Sequence, residues 1–227
     1  MLGIIIKDYY ESFCLKKNLI SLLFVFIIFS LVIILMNNLY ALILLVCITL
    51  PIAGTSTLQE TLKQDEISNY NKILLTFPLT KKEIVKAKII STLILSLLIN
   101  LLISLPITLI YVFIYQAVNL DIALLIWLFG FILTFIMTAI QNIGLFTLGN
   151  KKGSIVLFIF TIVVAISYIF SYVFVGIETI VELTTPTLLI FETLIAIILN
   201  IISFYACVKI YSIKNSWNYK GILSEFQ

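Results

Sequence analysis

Six long apolar stretches, separated by shorter polar segments, run along this chain. They cover about residues 19–36, 39–58, 89–115, 122–148, 153–176 and 187–209. A hydrocarbon core about 30 Å thick takes roughly 20 helical residues to cross. Each stretch is therefore predicted to be a membrane-spanning helix. Ahead of the first, Leu2, Ile5, Ile6, Tyr9 and Phe13 recur at helical spacing, with Lys7, Asp8, Glu11 and Lys16 between them. That pattern fits a helix lying in the membrane surface. A simple extension of the first span is the alternative, and the placing of the polar residues favours the surface helix. The expected fold is an all-α integral membrane protein. A surface helix (1–18) would precede a six-span domain (19–209) and a cytoplasmic tail (210–227).

The longest polar interruption, 59–88, reads QETLKQDEISNYNKILLTFPLTKKEIVKAK. A polar helix is predicted from Gln59 to Leu75, with Leu62, Ile67, Tyr70, Ile73 and Leu74 sharing an apolar side. Pro78 ends it. Thr80 and Glu83 have capping-box spacing, so a new helix is predicted to start at Lys81 and run into the third span. A connection of this length with its own amphipathic helix is longer than most. It suits a docking element better than a plain solvated loop.

Charge sets the orientation. All 14 cationic side chains are lysines. They occupy the N-terminal segment (Lys7, Lys16, Lys17), the 59–88 loop (Lys63, Lys72, Lys81, Lys82, Lys86, Lys88), the 149–152 loop (Lys151, Lys152) and the tail (Lys209, Lys214, Lys220). The alternate connections, at Asn37–Asn38 and near 116–121 and 177–186, hold Asp121, Glu178 and Glu182 but no lysine. Short cytoplasmic loops retain Lys and Arg, so both termini are expected in the cytoplasm. The net charge of +3 reports this topology and does not imply a nucleic-acid partner; a generic attraction to anionic lipid is compatible with it. The charged N-terminal segment is unlike a cleavable signal peptide, so the first span is expected to stay. Apolar residues make up 62% of the chain and charged ones 11%, against about 25% charged in a soluble domain.

Several chemistries are excluded. With no histidine, the chain has no HExxH zinc site and no Ser–His dyad. It carries no GxxxxGK[ST] nucleotide loop, so no enzyme activity, bound cofactor or metal is expected in this chain. Cys14, Cys47 and Cys207 lie in the N-terminal segment or in spans, which implies no disulfide framework. The spans are nearly free of ionisable groups. Glu192, about a turn and a half into the outer end of the last span, is the exception. A solvated or snorkelled acid is the first reading, and a transport role the second.

Two polar stripes remain. Thr92, Ser96, Asn100, Ser104 and Thr108 recur every four residues in the third span, which Pro106 interrupts. Thr134, Thr138, Gln141 and Asn142 form a matching set in the fourth. Such stripes face protein or a watery path, because lipid offers them no partners. Helix–helix glue and a substrate-facing lining are the two readings. Pro51 is expected to kink the second span as Pro106 does the third. The apolar outside stretch 171–186 fits either a short re-entrant helix or a plain loop. The two halves show no clear inverted symmetry.

A surface helix, two spans, a charged cytosolic helix and a long third span together resemble the permease subunit of type-2 ATP-binding-cassette exporters. The most specific run is 65–88, where Asp65, Glu66, Asn71, Lys72, Pro78, Lys82, Glu83 and Lys88 match a pattern common in small bacterial permeases of this class. The topology match covers the whole chain. The resemblance extends to exporters of amphipathic peptide toxins and to lantibiotic-protection permeases. It implies a separate ATPase, carrying ATP and Mg, docked on Asp65, Glu66, Tyr70, Asn71, Lys72 and Leu74. It further implies a second permease chain, identical or paralogous, short extracellular helices at 171–186, and a bacterial cell-membrane location. A Lys-, Ile- and Asn-rich chain without Arg agrees with an AT-rich bacterial genome. A non-transporting membrane module and an ion-coupled carrier are the alternatives; the scarcity of buried carboxylates speaks against the latter.

Overall fold

The computed structural model describes residues 1–36, 38–74, 76–174 and 186–225. Every regular element among them is a helix: α1 (Leu2–Cys14), α2 (Lys16–Leu35), α3 (Leu39–Ile67), α4 (Tyr70–Leu74), α5 (Lys81–Phe113), α6 (Leu120–Gly149), α7 (150–174) and α8 (Pro186–Glu225). Four are long and apolar enough to cross a membrane among the described residues: α3, α5, α6 and the Pro186–Ile213 part of α8. α2, of 20 residues, and the longer α7 fall where the first and fifth spans are expected.

The N-terminal segment is a separate helix. Leu15, at φ −70° and ψ 125°, is extended and divides α1 from α2. Leu2, Ile6, Tyr9 and Tyr10 on α1 are exposed, whereas Ile4, Asp8 and Ser12 are buried. The helix thus turns an apolar side outward and seats its polar side on the protein.

The second span and the loop helix form one element. The expected boundary at 58–59 is absent, and α3 continues to Ile67 because Gln59–Lys63 contains nothing that stops a helix. The stop comes at Ser68–Asn69. Ser68 Oγ donates to the Gln64 carbonyl at 2.7 Å, and Asn69 takes a left-handed φ of 52°, a conformation asparagine tolerates better than most residues. The predicted polar helix is therefore the end of α3 plus the short α4, and the helix has already ended before Pro78.

The capping box at the start of α5 is present. The Glu83 N–H donates to Thr80 Oγ1 at 3.2 Å, and the Thr80 N–H donates to Glu83 Oε2 at 2.8 Å. The Thr80 backbone N–H, and then its hydroxyl, hold the Glu83 carboxyl below its usual range. A carboxyl depressed in this way contributes stability above the unfolded carboxylate range, and the contribution is lost as pH falls through the lowered value. Thr80→Ala is expected to speed amide hydrogen exchange in the first turn of α5, where Thr80→Ser retains protection. Equal exchange in both variants would show that the cap does not hold this end.

Both prolines follow a widened turn. Leu50 N–H donates to the Leu45 carbonyl, and Leu105 N–H to the Asn100 carbonyl, five residues back instead of four. Pro51 and Pro106 come next. Proline lacks the N–H and its ring crowds the carbonyl four residues back; an extra residue per turn gives that ring room. The helices run on through their prolines by means of these π-turns.

The main apolar core lies at one end of the bundle, around Leu42, Leu45, Val46, Leu50, Tyr111 and Ile126, where Tyr111 Oη donates to the Met36 carbonyl at 2.6 Å. At the other end Ile4, Leu74, Ile84 and Ala87 cluster, and Lys81 Nζ donates to the Ser212 carbonyl at 3.3 Å. The lysine-bearing ends of α1, α3, α5 and α8 thus gather together. Gly149, with φ 76° and ψ 175°, makes the sharp turn between α6 and α7, a conformation that glycine adopts without steric cost. Of the 171–186 stretch, 175–185 lies outside the described residues.

Candidate functional site: a buried ion cluster at the loop end

Five charged side chains from three helices meet where the 59–88 loop joins the bundle. From α1 come Lys7, Asp8 and Glu11; from the end of α3, Asp65; from the first turns of α5, Lys88. Lys88 Nζ donates to Asp8 Oδ1 at 2.7 Å and pairs with Asp65 Oδ2 at 2.6 Å. Lys7 donates to Glu11 Oε2 at 2.8 Å and also to Asp65 Oδ1. Ser91 Oγ, one turn after Lys88, donates to Asp8 Oδ2 at 2.8 Å. From α4, the Tyr70 ring lies 4.2 Å beneath the Lys7 ammonium, a cation–π distance.

Helical spacing explains why these groups converge. Asp8 and Ser12 lie one turn apart, on the side of α1 that also buries Ile4. Lys88 and Ser91 lie three apart on α5, so both reach the same carboxylate. Asp8 and Asp65 are fully buried and Lys88 is 3% exposed. Charges this far from water are held only by mutual pairing and further hydrogen bonds. Burial acts to lower the Lys7 pKa, but hydrogen bonds to Asp65 and Glu11 and their charges outweigh it, so the pKa is raised and Lys7 remains a cation. Carboxylate oxygens of Asp8, Glu11 and Asp65 lie within 4.8 Å of one another, a spacing compatible with a metal ion. The two lysine ammonium groups already bridge these carboxylates, so they do not form a vacant metal site.

The residues expected to dock an ATPase divide. Glu66 is exposed and Tyr70 half-buried. Asp65 is turned into the ion cluster, and Leu74 is packed with Ile4, Ile84 and Ala87. Neither Asp65 nor Leu74 presents a side chain outward, because α1 covers both. Asn71 and Lys72 belong to α4, but their side chains lie outside the described residues. Asp8 was missed by the sequence reading. Its place beside Lys7 and one turn before Ser12, on the polar side of α1, was the available signal.

Every residue of the two polar stripes is buried: Thr92, Ser96, Asn100, Ser104 and Thr108 on α5, and Thr134, Thr138, Gln141 and Asn142 on α6. Asn100 Nδ2 donates to Thr134 Oγ1 at 3.0 Å across the two helices. Most hydroxyls return to their own helix, as Thr92 does to the Lys88 carbonyl and Thr108 to that of Ser104. The amides of Gln141 and Asn142 have no hydrogen-bond partner among the described residues.

Residues 3–212 match the family model described as ABC-2 family transporter protein. The chain belongs to the ABC-2 transporter family. It is the multi-pass membrane component of an ATP-binding-cassette exporter, and family membership implies a partner ATPase subunit. No curated protein and no solved structure matches it. In this permease the family match spans α1, the ion cluster and both polar stripes, and it ends within α8.

Proposed function

We propose that this permease crosses the bacterial cell membrane six times with both termini in the cytoplasm, pairs with a second copy or a paralogue, and exports a hydrophobic or amphipathic substrate of the peptide class. A separate subunit binds and hydrolyses ATP with Mg, and its motion enters through the exposed face around Glu66. The observation that carries this reading is the ion cluster. It ties α1, the end of α3, α4 and the start of α5 into one body at the lysine-bearing end. Force applied near Glu66 then passes into α3 and α5 together. Both helices carry a widened turn, at Leu44–Thr49 and Asn100–Ser104, and such turns are often found at functional sites. The unpartnered amides of Gln141 and Asn142 favour a pathway lining over glue, because glue requires a partner.

The test is a mild-detergent pull-down of the full chain from its native membrane. A stoichiometric soluble protein with a GxxxxGK[ST] motif is expected. Glu66→Lys should reduce its recovery about tenfold or more while the permease melts as before, since Glu66 is exposed. Absence of any such ATPase, under conditions that keep a control complex intact, would overturn the reading.

A further inference from the structure

Glu192 is the acid that the sequence placed near the outer interface as a solvated or snorkelled group. It does neither. The side chain turns inward and is 8% exposed, and neither carboxylate oxygen has a hydrogen-bond partner among the described residues. Its surroundings can be read from the packing of α8 on α6. Asn200 Nδ2 donates to the Phe135 carbonyl and Ser203 Oγ to the Ala139 carbonyl, each at 3.0 Å. These pairs are 65 and 64 residues apart in sequence. The two helices therefore run side by side in the same direction, and Glu192 lies level with Trp127 and Leu128. Trp127 Nε1 is also buried without a partner. At the neighbouring position of α6, the Cys47 thiol of α3 donates to the Ile126 carbonyl at 3.7 Å. An unpartnered carboxylate acceptor and an unpartnered indole donor thus occupy one level of the bundle.

A carboxyl group inside a membrane takes up a proton unless a cation or a donor meets it. The described lysines with polar contacts, Lys7, Lys81 and Lys88, are gathered at the opposite end. Around Glu192 the α8 surface is apolar, with Ile190, Phe191, Leu194 and Ile195 exposed. A cation reaching this level is best supplied on a molecule with an apolar tail.

We propose that Glu192 and Trp127 form an intramembrane site for the ammonium group of an amphiphile. Glu192 takes the ammonium, and the Trp127 N–H donates to an oxygen acceptor beside it. This deepens the permease reading by naming the headgroup chemistry of a molecule the bundle admits. An N-terminus or lysine of a cargo peptide and an aminolipid headgroup share that chemistry.

The test uses the full chain in phosphatidylcholine nanodiscs with Trp217→Phe, so that Trp127 is the sole tryptophan. Dodecylammonium is expected to change Trp127 emission saturably, and dodecanol to bind at least tenfold more weakly. Glu192→Gln should abolish that preference, and Glu192→Asp, which keeps the charge, should retain most of it. Equal binding of amine and alcohol to the native side chain, or an unchanged preference in Glu192→Gln, overturns the site. Weaker dodecylammonium binding when phosphatidylethanolamine is included would assign the site to a lipid headgroup. Competition by a lysine-bearing amphipathic peptide, without that lipid effect, would assign it to cargo. Recovery of the partner ATPase is expected to be unaffected by Glu192→Gln. If no variant recovers an ATPase, the transport reading fails while the binding result stands.

Discussion

Replacing Lys88 with methionine is expected to destabilise the permease by about 3–5 kcal/mol, the usual cost of leaving buried charge without its partner. Methionine has a similar length and packs well, so the loss measures charge and not volume. Asp8 and Asp65 each lose an ammonium at under 3 Å, and Lys7 must then neutralise three carboxylates. Thermal unfolding in detergent, followed by intrinsic fluorescence, should show a fall in melting temperature well beyond that of an exposed control such as Lys86→Met. The damage is expected to centre on α1, so amide exchange should rise through Asp8 and Ser12 before it rises in the core around Leu42 and Val46. Asp8→Asn in the Lys88→Met background should cost much less than the two single changes summed, because the second substitution removes a charge the first left stranded. A Lys88→Met protein that melts with the native one would show that the cluster is not a structural tie, and the route from Glu66 into α5 would lose its basis.

Much of this architecture could be read from the chain because the physics was local or periodic. The capping box at Thr80 and Glu83 and the separate α1 both follow from residues within one or two turns. The lysine-bearing parts of α1 and α5 lie together with the end of α3. The ion cluster was not legible in this way. Asp8, Asp65 and Lys88 are far apart in sequence, and each alone reads as an ordinary polar residue near a membrane. Asp65 was consequently placed on a docking surface when α1 covers it. The boundary between the second span and its loop was also invisible, since a helix may leave the hydrocarbon without changing its backbone. Its true end depends on Asn69 accepting a left-handed conformation. Glu192 was misjudged for another reason. Depth in the membrane can be counted along a helix, but the direction an acid faces depends on the neighbour, here α6, and the 64- to 65-residue register that sets it is a tertiary fact.

Gly130→Ala is the second change expected to have a large effect. A Cβ at this position would lie 2.4 Å from the Val46 carbonyl oxygen and 2.9 Å from its carbon. Both are backbone atoms, and Val46 lies inside the widened turn of α3, packed on every side. No rotamer change relieves the contact, so α3 and α6 must separate. Overpacking usually costs about 1–3 kcal/mol and sometimes more; a clash with backbone belongs at the upper end. Gly54→Ala provides the contrast on the same helix pair. There the nearest atom is Thr134 Cγ2 at 3.2 Å, a side-chain methyl that can move by a few tenths of an ångström. Gly130→Ala should therefore lower the melting temperature several times more than Gly54→Ala, and Gly130→Leu should yield no monodisperse protein. The comparison also bears on transport. Asn100, in the widened turn of α5, bonds to Thr134 of α6, while Gly130 lets the corresponding turn of α3 close on the same helix. If these two turns are where α3 and α5 flex against α6, a Gly130→Ala protein that still folds should keep its ATPase yet lose substrate-stimulated hydrolysis. Full stimulation in a protein with a clearly lowered melting temperature would place the flexing elsewhere.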